Sequence, residues 1–483
     1  MNEVARVGGP VACLGLAVLL VGSGRWVRLG GLLAWGVGSC LLGIALVPKG
    51  HTAELAAAGV VALLVCAAVA VALRAWPWAL AFAMLALVPA RIPVNVAGTS
   101  TKLLLPMYAV AAGAAFLLAW QLVRSDASER ELGPIAWPLA AFVAWTGLTL
   151  TWSQDVHEGA IELLAYYLPL GLLAVALARL PWRRGALAAL NAELVAMALV
   201  FAAVGVYQWY TRDIFQNPKV IYANAYAPFF RVNSVFWDPS VYGRFLVLAI
   251  IAALVGAVRG RSTRLAWGAA AAIGIIWLGL LISFSQSSFA ALIVALLLIA
   301  AVAWRWRAAA AVGLVGVVLL SVGFSAPEVR HTLVKRSVNG LNHATSGRAN
   351  LVSNGIHIAL AHPVAGVGVG GFKRAYADRV GLKGKNPKTA ASHDTPVTVA
   401  AESGFPGLLL FLWLLGAALW TTTRRLGGTF ARRTALILGL ALVAIAVHSL
   451  FYNDFFEDPM MWGILGLSAV TARQLDREEE RET

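Results

Sequence analysis

Residues 240–283 read SVYGRFLVLAIIAALVGAVRGRSTRLAWGAAAAIGIIWLGLLIS. The runs 240–258 and 265–283 together hold one charged residue, Arg244, and a hydrophilic link with Arg259, Arg261 and Arg264 separates them. A helix needs about 20 consecutive apolar residues to cross the hydrocarbon core of a bilayer. In lipid its backbone groups must be satisfied within the segment. The stretch therefore reads as two membrane-spanning helices joined by a cationic turn.

The same pattern recurs along the chain. Fifteen apolar segments are long enough to consider, of which 8–23, 76–90 and 458–473 fall slightly short of a full span. The composition agrees: 60% of the 483 residues are hydrophobic and 13% charged, about half the ~25% of soluble chains. The expected fold class is all-α, a polytopic membrane protein with about 12–15 transmembrane helices. A soluble enzyme, a disordered protein and a disulfide scaffold are excluded. Cys13, Cys40 and Cys66 lie inside apolar segments and read as buried thiols without a redox role.

A net charge of +15 on a soluble chain would suggest nucleic acid. Here it reports orientation. If residues 325–403 lie outside, the inner loops hold 17 Lys/Arg, from Arg25 to Arg433. The short outer segments hold four: Arg6, Lys49, Arg91 and Lys102. Basic residues favour the cytoplasmic side, so the tail is expected inside, nucleic acid is not a partner, and inner-loop arginines meet anionic lipid.

Two outer segments are too long to be connectors: 210–239 within a bundle of residues 1–324, and a loop domain over 325–403. C-terminal helices follow over 404–483. Within the loop domain, 347–361 reads as an amphipathic helix carrying Leu351, Val352, Ile356, Ala359 and Leu360, ended by Pro363.

Candidate chemistry concentrates outside. In RVNSVFWDPSVYGRF (231–245), Asp238-Pro239-Ser240 is a helix start, so Asp238 is an N-cap or a functional acid. Arg244 snorkels to the interface or faces a site; Arg231 has no such local reason. Arg348 opens the amphipathic helix, where anions bind, and is either a forked phosphate donor or a partner of an acidic neighbour. His393-Asp394 precedes Glu402, Gly404, Pro406 and Gly407 at the next span. The string GVGVGG (366–371) lacks the preceding strand of a dinucleotide fold and reads as a tight turn. Asp454, Glu457 and Asp458 form an acidic patch, and His448 lies near the outer end of its span. No zinc pair, nucleophilic serine elbow or phosphate-binding loop occurs, which excludes an ATP-driven pump. Glu162 and Glu193 are intramembrane acids that can relay protons in a secondary transporter or flippase.

These stretches together resemble the bacterial O-antigen ligase and O-antigen polymerase superfamily. Four match in order: Arg231 with Phe236, Asp238 and Pro239; SFSQSS (283–288); Arg348 through HPVAGVGVGGF (to 372); and His393 through ESGFPG (to 407). Gln286 stands where the family often has Arg, and Asp394 where Asn is common. The resemblance implies a C-type glycosyltransferase fold in the bacterial cytoplasmic (inner) membrane. It implies transfer, with inversion, of a glycan from a polyprenyl (undecaprenyl) diphosphate carrier to a glycan or glycolipid acceptor on the outer face, in lipopolysaccharide or other envelope polysaccharide synthesis. It further implies Arg231 and Arg348, with Arg244 in support, at the diphosphate, and His393 and Asp394 as catalytic residues, His393 as base and Asp394 orienting it. Asp238, Gln286, Glu402 and His448 support the site, and neither metal nor cofactor is expected. A ligase is favoured over a polymerase.

Overall fold

The computed structural model describes residues 2–47, 52–96, 99–124, 132–215, 217–226, 230–259, 262–302, 348–382, 392–425 and 428–482. The expected apolar segment 307–324 and most of the first half of the loop domain lie outside the described residues.

The chain is a polytopic helical membrane protein. Its helices are α1 (Asn2–Val21), α2 (Arg25–Leu46), α3 (Thr52–Ala75), α4 (Ala79–Ala86), α5 (Leu105–Val123), α6 (Ala136–Thr149), α7 (Val156–Glu162) and α8 (Leu168–Ala178). Next come α9 (Arg184–Thr211), α10 (Pro218–Tyr226), α11 (Pro239–Arg259), α12 (Thr263–Ser283) and α13 (Gln286–Val302). The last are α14 (Arg348–Ala361), α15 (Phe372–Arg379), α16 (Thr395–Thr423), α17 (Phe430–Ser449) and α18 (Pro459–Glu482). Among the described residues ten helical segments are long and apolar enough to cross a membrane.

The quoted stretch forms α11 and α12, as the apolar runs require. Of the three short segments, the first is a full helix, α1. The second shrinks to the eight residues of α4, and the third extends through a charged tail as α18. One feature stands outside the all-helical expectation: β1 (Ile92–Val96) and β2 (Thr99–Leu103) pair antiparallel from Ile92 opposite Leu103 to Val96 opposite Thr99.

Packing gathers α1 with α2 and α6, α18 with α8 and α17, and α11 with α9, α12 and α17. Because lipid is as apolar as the helix surfaces, close packing rather than water exclusion holds such a bundle. At its centre a π-turn (Leu163–Tyr167) joins α7 to α8. It brings the Tyr167 ring to 5.2 Å from Phe456, which in turn stacks on Phe142 at 4.6 Å. Cys13 and Cys66 are buried as expected. Cys40 is not: α2 packs through one face, and Cys40 lies on its exposed side.

The expected amphipathic helix is α14. Its buried positions are Leu351, Gly355, Ile358 and Ala359, so Ile356 and Leu360 face outward instead. With Val367, Phe372, Ala375, Ala400 and Ala401 this face forms a second small core over the start of α16. Helix α16 starts at Thr395, before the expected boundary between residues 403 and 404, and carries a non-helical backbone conformation at Gly404 (φ 69°, ψ −176°).

Candidate functional site

The starts of α7, α11, α16 and α18 and the ends of α12 and α17 meet at one end of the bundle. The loop before α11 is pinned there by polar side chains. Gln208 brackets Ser234 with two bonds, Nε2 to the Ser234 carbonyl at 2.9 Å and Oε1 from its N–H at 2.7 Å. Asn224 does the same for Arg231, at 2.9 and 3.0 Å. The Asp238 carboxylate accepts from the Ser240 N–H at 2.7 Å, the capping geometry that Asp-Pro-Ser implies. With its backbone fixed, Arg231 donates through Nε to the Ser283 carbonyl at 3.1 Å.

Ser283 opens the SFSQSS turn between α12 and α13. Ser285 Oγ lies 2.7 Å from Ser288 Oγ, and Ser288 Oγ donates to the Ser240 carbonyl at 3.3 Å. The turn thus locks the base of α11 to α13. Gln286, the family's usual Arg position, is exposed.

His393 sits in a left-handed backbone conformation (φ 63°), uncommon for a residue with a side chain. Its neighbours enforce it. Ser392 Oγ donates to the Asp394 carbonyl at 2.7 Å, and the Asp394 carboxylate caps α16 from the Val397 N–H at 2.9 Å. Asp394 therefore holds the backbone of His393 rather than its imidazole. An asparagine would make the same cap, which accounts for the departure from the family pattern. Burial pushes the Asp394 carboxyl above its ordinary value, partly offset by that bond.

Arg348 reaches this region from the start of α14. Burial and then the Arg348 charge hold the His393 imidazole below its ordinary value, with Asp238 pulling the other way. Burial lowers Arg231 too; Asp238 opposes this and Arg348 adds to it. Arg231, Arg348, His393 and Asp238 thus share one electrostatic neighbourhood, although 162 residues separate the first from the third.

Tyr452, a residue the sequence did not single out, lies beside His393 with ring centroids 6.4 Å apart and beside His448 at 5.7 Å. Burial and the nearby carboxylates, Asp238 first, raise its phenol well above its usual value.

Arg244 and His448 have a different setting. Arg244 is buried and ion-paired to Asp454 (2.5 Å) and Asp458 (3.1 Å). His448 is buried against it, Nδ1 at 3.3 Å from the guanidinium and Nε2 at 3.2 Å from the Ser240 carbonyl. Glu457 pairs with Arg91 at 3.4 Å. The acidic patch is thus matched by two arginines, one of which, Arg91, had read only as an orientation signal. Among the described residues no group of three or more His, Cys, Asp or Glu is arranged to hold a metal ion.

Glu402 is buried and accepts from the Phe372 N–H at 3.2 Å, while its carbonyl takes the Gly368 N–H at 2.8 Å. It is the internal anchor of GVGVGG. The glycines make the tight turn expected of them. Gly368 has φ 83°, and a Cβ there would lie 2.2 Å from the Ser153 backbone.

Glu162 and Glu193 do not meet. Glu162 lies near the His393 end, facing Glu402 and Glu457 across a narrow cavity. Glu193 sits nine residues into α9, toward the opposite end.

No curated protein matches the chain. Residues 271–412 match the family described as O-antigen ligase. That stretch includes the serine turn, Arg348, the glycine turn, His393 and Glu402, and leaves Arg231, Asp238 and Arg244 upstream of it. Over that stretch, inside a helical polytopic bundle, the chain is similar to the O-antigen ligase family.

Proposed function

We propose that the chain transfers a glycan from polyprenyl (undecaprenyl) diphosphate to an acceptor hydroxyl at the outer face of the bacterial cytoplasmic membrane, as an inverting ligase. The observation that carries this reading is the convergence of Arg231, Arg348 and His393 on one neighbourhood at one end of the bundle.

The chemistry follows from the charges. The acceptor oxygen attacks the anomeric carbon from the face opposite the carrier. A new C–O bond forms as the bond from that carbon to the diphosphate oxygen breaks, and the carrier leaves with the electron pair. His393, neutral because its pKa is lowered, takes the acceptor proton. Arg231 and Arg348 meet the charge that grows on the departing diphosphate, where donors held in place contribute most. Their like charges repel until an anion lies between them. Tyr452 flanks the imidazole. Arg244, neutralised by two carboxylates, acts as a positioning residue for α11.

Purified protein in detergent, given a polyprenyl diphosphate glycan, an acceptor and a chelator, tests the reading. Transfer that persists with chelator and is lost in Arg348→Ala and His393→Ala supports it. Activity abolished by chelator alone, or unaffected by both substitutions, overturns it. Attachment of the product to a second carrier-linked repeat would make the enzyme a polymerase.

A further inference from the structure

At the end of the bundle opposite His393, Arg74 closes the last turn of α3 and Arg124 follows the last turn of α5. Both guanidinium groups lie on the indole of Trp120, at 5.1 and 4.5 Å from its centroid. Each position suits the dipole of its own helix, which accounts for a cation at each helix end but not for both lying over one ring. Beside the ring is a cavity of about 240 Å³ whose walls include Leu73 and Leu117. Its remaining polar side chain is Gln121, whose Oε1 is taken by Arg179 Nε at 3.0 Å. The two charged side chains at the cavity are both cations, and the Gln121 NH2 adds a donor.

A cavity lined by two like charges fits an anion, and guanidinium groups that lie over an aromatic ring keep N–H edges available for phosphate oxygens. The apolar walls continue along α3 and α5 into the membrane-spanning region, and Trp76 and Trp120 are exposed near this end, where aromatic residues mark a membrane interface.

We propose that Arg74, Arg124 and Gln121 form a binding site for a phosphate-bearing anion, and that its source is the headgroup of an anionic phospholipid whose chains pass the partly exposed Leu117. The site is separate from the transfer site and does not depend on that assignment.

Native mass spectrometry of the full chain tests it, with phosphatidylglycerol, phosphatidylcholine or inorganic phosphate added to delipidated protein. One phosphatidylglycerol should be retained by the wild type. The Arg74→Gln/Arg124→Gln variant should bind it about thirtyfold more weakly, while Arg183→Gln binds as wild type. Inorganic phosphate that competes for the position supports the anion site with a free source as well; lipid retained without such competition assigns it to the lipid alone. Equal retention of phosphatidylcholine, or of phosphatidylglycerol by the double variant, overturns the proposal. A monodisperse elution profile of the double variant shows that it folds.

Discussion

The Nε of Arg231 donates to the main-chain carbonyl of Ser283 at 3.1 Å. This one bond ties an arginine upstream of the family-matched stretch to the serine turn inside it, and it uses the donor that a lysine lacks. In the proposed function the remaining guanidinium nitrogens would meet the diphosphate.

Arg231→Ala should therefore lower kcat for glycan transfer by about 10²–10³, the usual cost of removing one fixed donor from a developing anion. Arg231→Lys should recover only part of the loss, because a lysine keeps the charge and not the fork. Steady-state kinetics with a lipid-linked donor checks this; full activity in the lysine variant would refute it.

Activity should fall on the acid side. The base must be neutral, and burial with Arg348 nearby lowers the His393 pKa from its ordinary 6.5. Transfer should thus be level at pH 7 and decline only as pH falls through that lowered value. Removing the cation in Arg348→Gln should shift the acid limb to higher pH, and Asp238→Asn should shift it lower. Profiles of kcat/KM against pH read these shifts in the residual activity.

Asp394→Asn should keep both stability and near-normal transfer, because asparagine caps a helix as well as aspartate. Asp394→Ala should destabilise by about 1 kcal/mol and reduce transfer through the loosened His393 backbone. If the carboxylate charge acted on the imidazole, the asparagine variant would be as poor as the alanine one.

Arg244→Ala leaves Asp454 and Asp458 buried without their cation. A loss of about 3–5 kcal/mol is expected, read as a lower unfolding temperature in detergent. Replacing Arg244, Asp454 and Asp458 together by apolar residues should restore much of it.

Gly404→Ala should cost about 1–3 kcal/mol from backbone strain, and its Cβ would lie 2.3 Å from the Val364 carbonyl. Thermal unfolding and transfer should decline together. An alanine variant as stable as wild type would mean that α16 can straighten at this point.

Much of this molecule is legible in local patterns. The spans follow from apolar runs, because lipid leaves a backbone no partner outside its own helix. The start of α11 follows from Asp238, since a cap needs only the next three residues; the start of α16 lies at Thr395, not at the expected residue 404. Helix α14 follows from its spacing up to Pro363. The hairpin at Ile92–Leu103 is not legible in the sequence because its short strands lie between far stronger apolar signals. Tyr452 had no motif around it to give it away.

What sequence alone determined is the class of protein, the placing of most helices and the short set of polar residues worth considering. Only the tertiary structure separated those residues by role. Arg231 and Arg244 look alike in one fifteen-residue stretch, yet one donates to a main-chain carbonyl through Nε and the other is paired with Asp454, 210 residues away. Charge compensation acts through space over a few ångströms, and which carboxylate arrives at that distance is set by how the helices pack.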